Sequence, residues 1–70
     1  MNTLATNIEL IIEDKGLKKK SVAIKAGYTK QQFSNLINGR KTIKPEDIIK
    51  IAMALEVTPN DLFGFSNKSA

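Results

Sequence analysis

Residues 19–41 read KKSVAIKAGYTKQQFSNLINGRK, and the arrangement of the whole chain follows from this segment. Its apolar residues recur at helical spacing before and after Gly27, which predicts one helix over about 19–26 and another over about 30–37. Gly27 readily adopts the positive φ that a tight turn needs after a helix. Thr29 offers the side-chain oxygen that caps the second helix, whereas the lysine before the first helix offers none. We therefore predict two short helices joined by a tight turn.

A small residue in the first helix and a large one in the turn indicate that these two helices cross at an angle. Ala23 is small enough to let the second helix pass closely above the first. Tyr28 is expected to turn its ring inward, at least in part, and to fill the angle between the helices. Phe33 and Leu36 then fix the second helix against the first. Two short helices packed in this way form a helix-turn-helix motif.

Three further helices are predicted around this pair. An apolar stripe predicts a helix over about 4–14, and Pro45 suits the first position of a fourth helix, where a missing N–H has no consequence. A capping-box spacing predicts a short fifth helix from Pro59. No stretch alternates long enough to predict a strand. We expect an all-α fold of five short helices about one core, in a single domain over 1–64 with a short tail over 65–70.

The composition excludes several classes of function. At 70 residues, 41% of them hydrophobic and 26% charged, the chain has the composition of a small globular domain with little interior left for a substrate cavity. It contains neither cysteine nor histidine, and so lacks the usual metal ligands and the usual general base. Its apolar runs are shorter than the ~20 residues of a membrane span, and no secretory signal is expected. We expect a non-enzymatic protein with no metal, no cofactor and no membrane partner.

Positive charge is concentrated in the middle of the chain. Residues 15–44 contain nine lysines and arginines and no acidic residue, whereas all seven acidic residues lie outside this range. The net charge is only +4, but this segregation creates a directed field that attracts a polyanion. The alternative is a solvated face whose lysines merely keep the protein in solution. The charge pattern favours polyanion binding.

The segment resembles the helix-turn-helix of the phage lambda repressor-like, or XRE, family of transcription regulators. The matching residues are Val22 and Ala23 in the first helix, Ala26, Gly27 and Tyr28 at the turn, Phe33 and Leu36 in the second helix, and Asn38, Gly39, Arg40 and Lys41 after it. The stretches KIAMALEV at 50–57 and DLFG at 61–64 resemble the family's fourth and fifth helices. The sequence departs from the pattern at Lys18 and Lys19, where a capping Ser or Thr and a Gln are more usual. The resemblance covers about residues 4–64 and implies the family's five-helix fold.

The resemblance also implies that the second helix of the motif enters the major groove of DNA. Five of its polar residues would then face base edges: Lys30, Gln31, Gln32, Ser34 and Asn35. Gln31, Asn35 and Lys30 are the foremost candidates, because glutamine and asparagine can pair bidentately with adenine and lysine can donate to guanine. The alternative is a polar face that contacts only solvent.

Phosphate contacts are expected on both sides of this helix. Lys19 and Lys20 lie at a helix N-terminus, where ammonium groups and free amides can share one phosphate. In the loop over 38–41, side chains and backbone N–H groups can hold another. The full set of phosphate-binding candidates is Lys19, Lys20, Thr29, Asn38, Arg40, Lys41 and Lys44.

We predict a sequence-specific, double-stranded DNA-binding transcription regulator, a repressor that occludes a promoter. By the resemblance, it binds as a homodimer to an operator with two half-sites one helical turn apart, and it is a cytoplasmic protein encoded by a bacterium or a phage. Leu62, Phe63 and Phe65 are candidates for the dimer interface. The alternative for Phe63 is a place wholly in the core.

A different function is open to the same fold. The chain would then be a protein-interaction module, such as an antitoxin or the controller of a restriction system, that acts with a partner protein. Ile24 and Ile37 stand where the family more usually has polar residues, and exposed isoleucines would suit a partner surface. Retention of specific DNA by the isolated chain would favour the first function, and obligatory co-purification with another protein would favour the second.

Overall fold

Five helices follow one another along residues 3–64, the part of the chain that the computed structural model describes. They are α1 (Thr3–Asp14), α2 (Lys19–Ala26), α3 (Lys30–Ile37), α4 (Pro45–Leu55) and α5 (Pro59–Leu62). No strand occurs in this part of the chain, and none of these helices is long and apolar enough to cross a membrane. The predicted all-α fold is confirmed, with α2 and α3 where the sequence places them. The predicted tail, 65–70, lies outside the described residues.

Apolar side chains from all five helices form one core. The largest side chains that it encloses fully are Ile8, Phe33, Ile51, Leu55 and Leu62. Full burial of one such side chain contributes about 1.5–3 kcal/mol to folding. α2 adds the smaller Val22 and Ala23, both fully buried. The small residue predicted at the crossing of α2 and α3 is therefore covered, as a close approach of the two helices requires.

Contacts between the helices leave one face of α3 open. α3 packs against α1 and α2, while α2 also packs against α4. α5 in turn packs against α1 and α4. Because α3 is held by two neighbours through its apolar side, its polar side is free to meet a ligand.

The turn between α2 and α3 is built as the sequence predicts. Gly27 has a φ of 90°, and the N–H of Tyr28 donates to the carbonyl of Ala23 at 2.8 Å to close α2. Thr29 caps α3, because its hydroxyl oxygen accepts from the N–H of Gln32 at 3.1 Å. The side-chain oxygen of Gln32 accepts in return from the N–H of Thr29 at 2.9 Å. This return bond is not among the predictions above, although the spacing of Thr29 and Gln32 is that of a capping box.

Tyr28 ties this turn to α4. Its half-buried ring lies beside that of Phe33, with 6.3 Å between the ring centroids, which confirms that it turns partly inward. Its hydroxyl donates to Oδ1 of Asp47, and Nζ of Lys50 lies 5.6 Å from the centre of its ring. Oδ2 of Asp47 accepts from the backbone N–H of Lys44 at 2.9 Å and so caps α4. One carboxylate therefore fixes both the start of α4 and the helix-turn-helix joint.

The two isoleucines expected at a partner surface differ in their exposed fraction. Ile24 is 66% exposed, as expected, but Ile37 is only 7% exposed. Ile37 lies one turn after Phe33 on the same face of α3, so it packs into the core. The prediction that Ile37 is exposed is therefore wrong, and Ile24 alone of the two can meet a partner.

The three predicted dimer residues also differ. Leu62 is fully buried in the core of the single chain. Its predicted place in a dimer interface is wrong, because it has no surface to offer. Phe63 is 45% exposed, which overturns the alternative that places it wholly in the core. Phe65 lies outside the described residues.

Candidate nucleic-acid interface

The outer face of α3 carries two amide side chains in contact with each other. Gln31 is exposed, and Asn35, one turn later, is half-buried. Nε2 of Gln31 donates to Oδ1 of Asn35 at 3.0 Å, and we call these two residues the amide pair. Phe33 and Leu36 anchor the opposite face of the helix in the core. The amide pair can therefore meet the hydrogen-bonding groups of a ligand without disturbing the core.

The other polar residues of α3 are engaged in different ways. Lys30 is exposed and forms no ion pair with any described residue. Oγ of Ser34 accepts from Nδ2 of Asn38 at 3.1 Å. Gln32 is held in the capping box, so its side-chain oxygen serves the start of α3. Lys30 and Ser34 thus accompany the amide pair more directly than Gln32 does.

A groove of about 120 Å³ lies between the start of α2 and the side of α3. It is lined by Lys19, Lys20, Lys30, Phe33, Ser34, Ile37 and Asn38, and we call it the cationic groove. Lys18 precedes α2 in an extended conformation and gives the helix no side-chain cap. The amides of the first turn of α2 are therefore left for other partners. Lys20 and Lys30, which form no ion pair with a described residue, and the positive end of a helix dipole favour an anion beside this groove.

Tertiary contacts balance part of the positive charge. Nζ of Lys19, a residue that lines the cationic groove, lies 2.9 Å from Oε2 of Glu9, and both side chains are about half exposed. Nζ of Lys25 lies 3.4 Å from Oε2 of Glu56. The partners are 10 and 31 residues apart, so the count of charges along the chain could not reveal these pairs. The cationic groove retains two lysines that are unpaired among the described residues.

The loop after α3 folds back onto the end of that helix. The N–H groups of Arg40 and Lys41 both donate to the carbonyl oxygen of Asn35, at 3.0 and 3.2 Å. Those of Asn38 and Gly39 also donate to carbonyls of α3. This contradicts the prediction that backbone N–H groups of the loop hold a phosphate, because all four are used within the chain. The same bonds bring Arg40 and Lys41 beside the turn that carries the amide pair.

An ionised carboxylate borders this loop. Partial burial alone would raise the pKa of Asp47, but the hydrogen bonds from the Tyr28 hydroxyl and the Lys44 N–H oppose it. The charges of Lys50 and Lys41 act in the same direction as these bonds, and together they hold the pKa of Asp47 below its usual value. Burial, followed by the bond to Asp47, raises the pKa of Tyr28, which therefore stays protonated as the donor.

The helix-turn-helix geometry agrees with a family pattern that runs along most of the chain. A family model described as the Cro/C1-type HTH DNA-binding domain matches residues 7–68. The chain belongs to this Cro/C1-type family. The resemblance to lambda repressor-like regulators is thereby confirmed. As a Cro/C1-type domain, the chain is a DNA-binding regulator and not an enzyme.

The fold of this Cro/C1-type domain is similar to that of the restriction-modification controller protein C.AhdI from Aeromonas hydrophila. The TM-score is 0.81, the sequences are 23% identical, and the match covers 87% of this chain and 92% of that chain. At this identity, the likeness concerns the fold. Among curated proteins, no significant match is found.

The predicted contact residues of this Cro/C1-type domain fall into four places. Lys19, Lys20, Lys30, Ser34 and Asn38 line the cationic groove, Gln31 and Asn35 form the amide pair, Arg40 and Lys41 follow in the loop, and Thr29, Gln32 and Lys44 lie at helix starts. The residue that the sequence did not indicate is Glu9, the partner of Lys19. No local signal could have found it, because the contact depends on how α1 lies against the start of α2.

Proposed function

We propose that this Cro/C1-type domain binds a specific double-stranded operator and represses transcription by occupying a promoter, in the cytoplasm of a bacterium. The observation that carries the proposal is the outward amide pair, flanked by the cationic groove and by the loop of Arg40 and Lys41. Amide groups can read base edges in the major groove, and cations on either side suit the phosphates that border it. α3 would enter the groove with its N-terminal half towards the bases.

Three of the proposed phosphate contacts, Lys20, Arg40 and Lys41, are cations that form no ion pair with a described residue. Lys19 would exchange Glu9 for a phosphate, which is a small change because an exposed ion pair contributes only about 0–1 kcal/mol. The remaining proposed contacts are Thr29, Asn38 and Lys44. These contacts would set the position of α3 on the duplex without reading its sequence.

A homodimer on two half-sites is the proposed binding form. One chain of this size covers too little DNA for tight specific binding, whereas a symmetric pair would place two α3 helices one helical turn apart. Phe63 directly follows α5 and is 45% exposed, which supports it as a contact between the two chains. Phe65 is proposed with it from its place in the sequence.

The salt dependence of binding tests the phosphate contacts. About four phosphates per chain predict a log–log slope of the association constant against salt near −3 to −4, measured by anisotropy of a labelled duplex. Lys20→Gln is expected to make the slope shallower by about 1. Lys25→Gln is the matched control on the same helix, because Lys25 is paired with Glu56. A salt response that is flat would overturn the phosphate assignment.

A selection of genomic fragments by the purified chain tests sequence-specific binding and identifies the operator. Gln31→Ala is expected to lose ~1–3 kcal/mol of binding free energy on that operator and little on random DNA. A reporter gene behind the selected promoter is expected to fall in expression when the chain is produced. Equal losses on both DNAs would show that Gln31 reads no base, and a rise in expression would replace repression by activation.

A second proposal adds a protein partner, as in an antitoxin or a restriction-system controller. Two observations support it: the exposure of Ile24 on α2, and the shared fold with a restriction-modification controller protein. Tagged chain purified from its native cell would then retain one other protein at a fixed ratio, and Ile24→Lys would abolish the retention. Purification of the chain alone, with full retention of operator DNA, would exclude this role.

A further inference from the structure

The amide pair on the outer face of α3 is directed, with a donor at one residue and an acceptor at the other. Nε2 of Gln31 donates to Oδ1 of Asn35 across one helical turn. Gln31 keeps its own oxygen and one amide hydrogen, and Asn35 keeps both hydrogens of Nδ2. Within residues 3–64, these remaining groups have no hydrogen-bond partner in the chain. The pair therefore presents a mixed edge from Gln31 and a donor edge from Asn35.

A paired asparagine and a free asparagine recognise different bases. Bidentate binding of adenine needs the side-chain oxygen and nitrogen on the same base. Oδ1 of Asn35 already accepts from Gln31, whereas Nδ2 keeps both of its hydrogens, so we assign the base contact of Asn35 to Nδ2. Donors suit guanine and thymine, whose polar major-groove atoms are acceptors, whereas cytosine presents a donor there and repels them. Gln31 retains the mixed edge that fits adenine.

We propose, on the basis of the DNA-binding function proposed above, that Gln31 and Asn35 read two nearby base pairs as one unit. Gln31 selects adenine, and Asn35 selects guanine or thymine and rejects cytosine. Four residues advance about 6 Å along α3, which corresponds to about two steps of ~3.4 Å along one DNA strand. The two contacts therefore fall on neighbouring or next-neighbouring base pairs.

The partial burial of Asn35 and its hydrogen bond to Gln31 orient this unit before DNA binds. Asn35 is half-buried, and its backbone carbonyl oxygen accepts from the N–H groups of Arg40 and Lys41, which fixes the backbone that carries the side chain. Asn35 in turn orients Gln31, the longer and more exposed of the two side chains. A side chain that is already oriented loses less conformational freedom on binding. Asn35 is thus both a specificity-determining residue and the positioning residue for Gln31.

Selection from a duplex library with a fully randomised half-site, followed by sequencing, tests the unit. Asn35→Asp keeps an oxygen for Gln31 and replaces the donor by an acceptor. We expect the wild-type chain to disfavour cytosine at one position by about tenfold or more. The variant is expected to prefer cytosine there, while adenine stays preferred at the Gln31 position. Asn38→Asp is the matched control, because it adds the same charge outside the amide pair and should weaken binding to all sequences alike.

Alanine variants test whether the two residues act together. Asn35→Ala removes the oxygen that orients Gln31, so we expect the preference for adenine to fall about threefold or more although Gln31 is unchanged. In the Asn35→Ala background, Gln31→Ala should then have a smaller effect than in the wild-type chain. Circular dichroism shows whether each variant is folded, and the alanine variants decide the question by themselves if Asn35→Asp unfolds.

Failure of this inference and failure of the proposed function give different results. If the wild-type chain selects no sequence, the proposed function fails. If it selects a sequence but Asn35→Asp selects the same bases, the donor assignment of Asn35 is wrong. If the preference for adenine survives Asn35→Ala unchanged, the two residues read independently, and the unit is refuted while the DNA-binding function stands.

Discussion

Replacement of Tyr28 by phenylalanine tests the link between the helix-turn-helix joint and α4. The Tyr28 hydroxyl donates to Oδ1 of Asp47, and the other oxygen of Asp47 accepts from the N–H of Lys44. Tyr28→Phe removes the hydroxyl, keeps a ring to pack beside Phe33, and leaves the cap of α4 in place. Any loss of stability therefore reports on one hydrogen bond.

The expected loss follows from the surroundings of that bond. A hydrogen bond to a charged group contributes about 1.5–3 kcal/mol when it is well shielded from water. Tyr28 and Asp47 are only half-buried, so we expect about 1 kcal/mol. For a chain of 70 residues this corresponds to a melting temperature lower by about 4–8 °C. Asp47→Ala also removes the cap of α4 and should lose about 1 kcal/mol more.

The loss is also expected to depend on pH in a defined direction. The pKa of Asp47 is lower in the folded chain than in the unfolded chain, where it is about 3.9. Its contribution to stability is therefore fully present above about pH 4 and is lost as the pH falls through the folded value. Tyr28→Phe moves the folded pKa back towards the ordinary value. The difference in unfolding free energy between the two chains should shrink below about pH 4.

Urea unfolding followed by far-ultraviolet circular dichroism, at pH 7 and pH 3, measures both effects. The control is Tyr28→Phe in the Asp47→Ala background, where the missing hydroxyl should have almost no effect. The reasoning is refuted if Tyr28→Phe destabilises equally at both pH values. It is also refuted if the two substitutions are additive, because additivity would mean that the Tyr28 hydroxyl and Asp47 do not interact.

Four further predictions concern binding, folding and assembly. Glu9→Gln releases Lys19 from its ion pair and removes a negative charge. The affinity for operator DNA, measured by anisotropy at low salt, should rise about twofold to fivefold. Unchanged affinity would mean that Lys19 contacts no phosphate. Lys18→Ser should raise unfolding free energy by about 1 kcal/mol and weaken DNA binding more than Lys18→Ala does, since serine caps the free amides of α2. Gly27→Ala should lower the free energy of unfolding, measured in urea, by about 1 kcal/mol or more, because alanine is strained at a φ of 90°. An added Cβ meets nothing within 4 Å, so the loss would come from the backbone conformation, and no loss would contradict this explanation. Phe63→Asp should shift the chain to monomers in sedimentation equilibrium, and a dimer that persists would place the interface elsewhere.

Local signals were sufficient for the helices and for the turn that joins α2 to α3. Gly27, Thr29 and Pro45 act through their own backbone or through neighbours within three residues, so their effects can be predicted from sequence. The bond between Tyr28 and Asp47 joins residues 19 apart, and it exists because α2 packs against α4. Contacts of that kind depend on tertiary packing, which spacing along the chain does not specify.

The candidate site shows the same division. The outward position of Gln31 follows from helical periodicity, because Phe33 and Leu36 must face the core. The hydrogen bond from Gln31 to Asn35 could have been suggested by their four-residue spacing. The pairing of Lys19 with Glu9 could not, and neither could the return of the loop N–H groups to the end of α3. Ile37 departs from the family pattern, but this departure does not indicate exposure, because the periodicity of α3 places the residue on the same inward face as Phe33.

The start of α2 differs from the starts of α3 and α5 in a way that bears on binding. Thr29 and Thr58 each belong to a capping box, so the first amides of α3 and α5 are partly satisfied within the chain. Lys18 gives α2 no such cap, and α2 has no acidic residue in its first turn. A helix start of this kind forgoes about 1 kcal/mol of stabilisation that serine or aspartate would supply. A phosphate bound at the cationic groove, as proposed above, would supply the missing negative charge and the missing acceptor. By linkage, an anion that binds only the folded chain stabilises that fold. With the phosphate contact proposed above, the uncapped end of α2 would therefore lower local stability in the free chain and strengthen DNA binding.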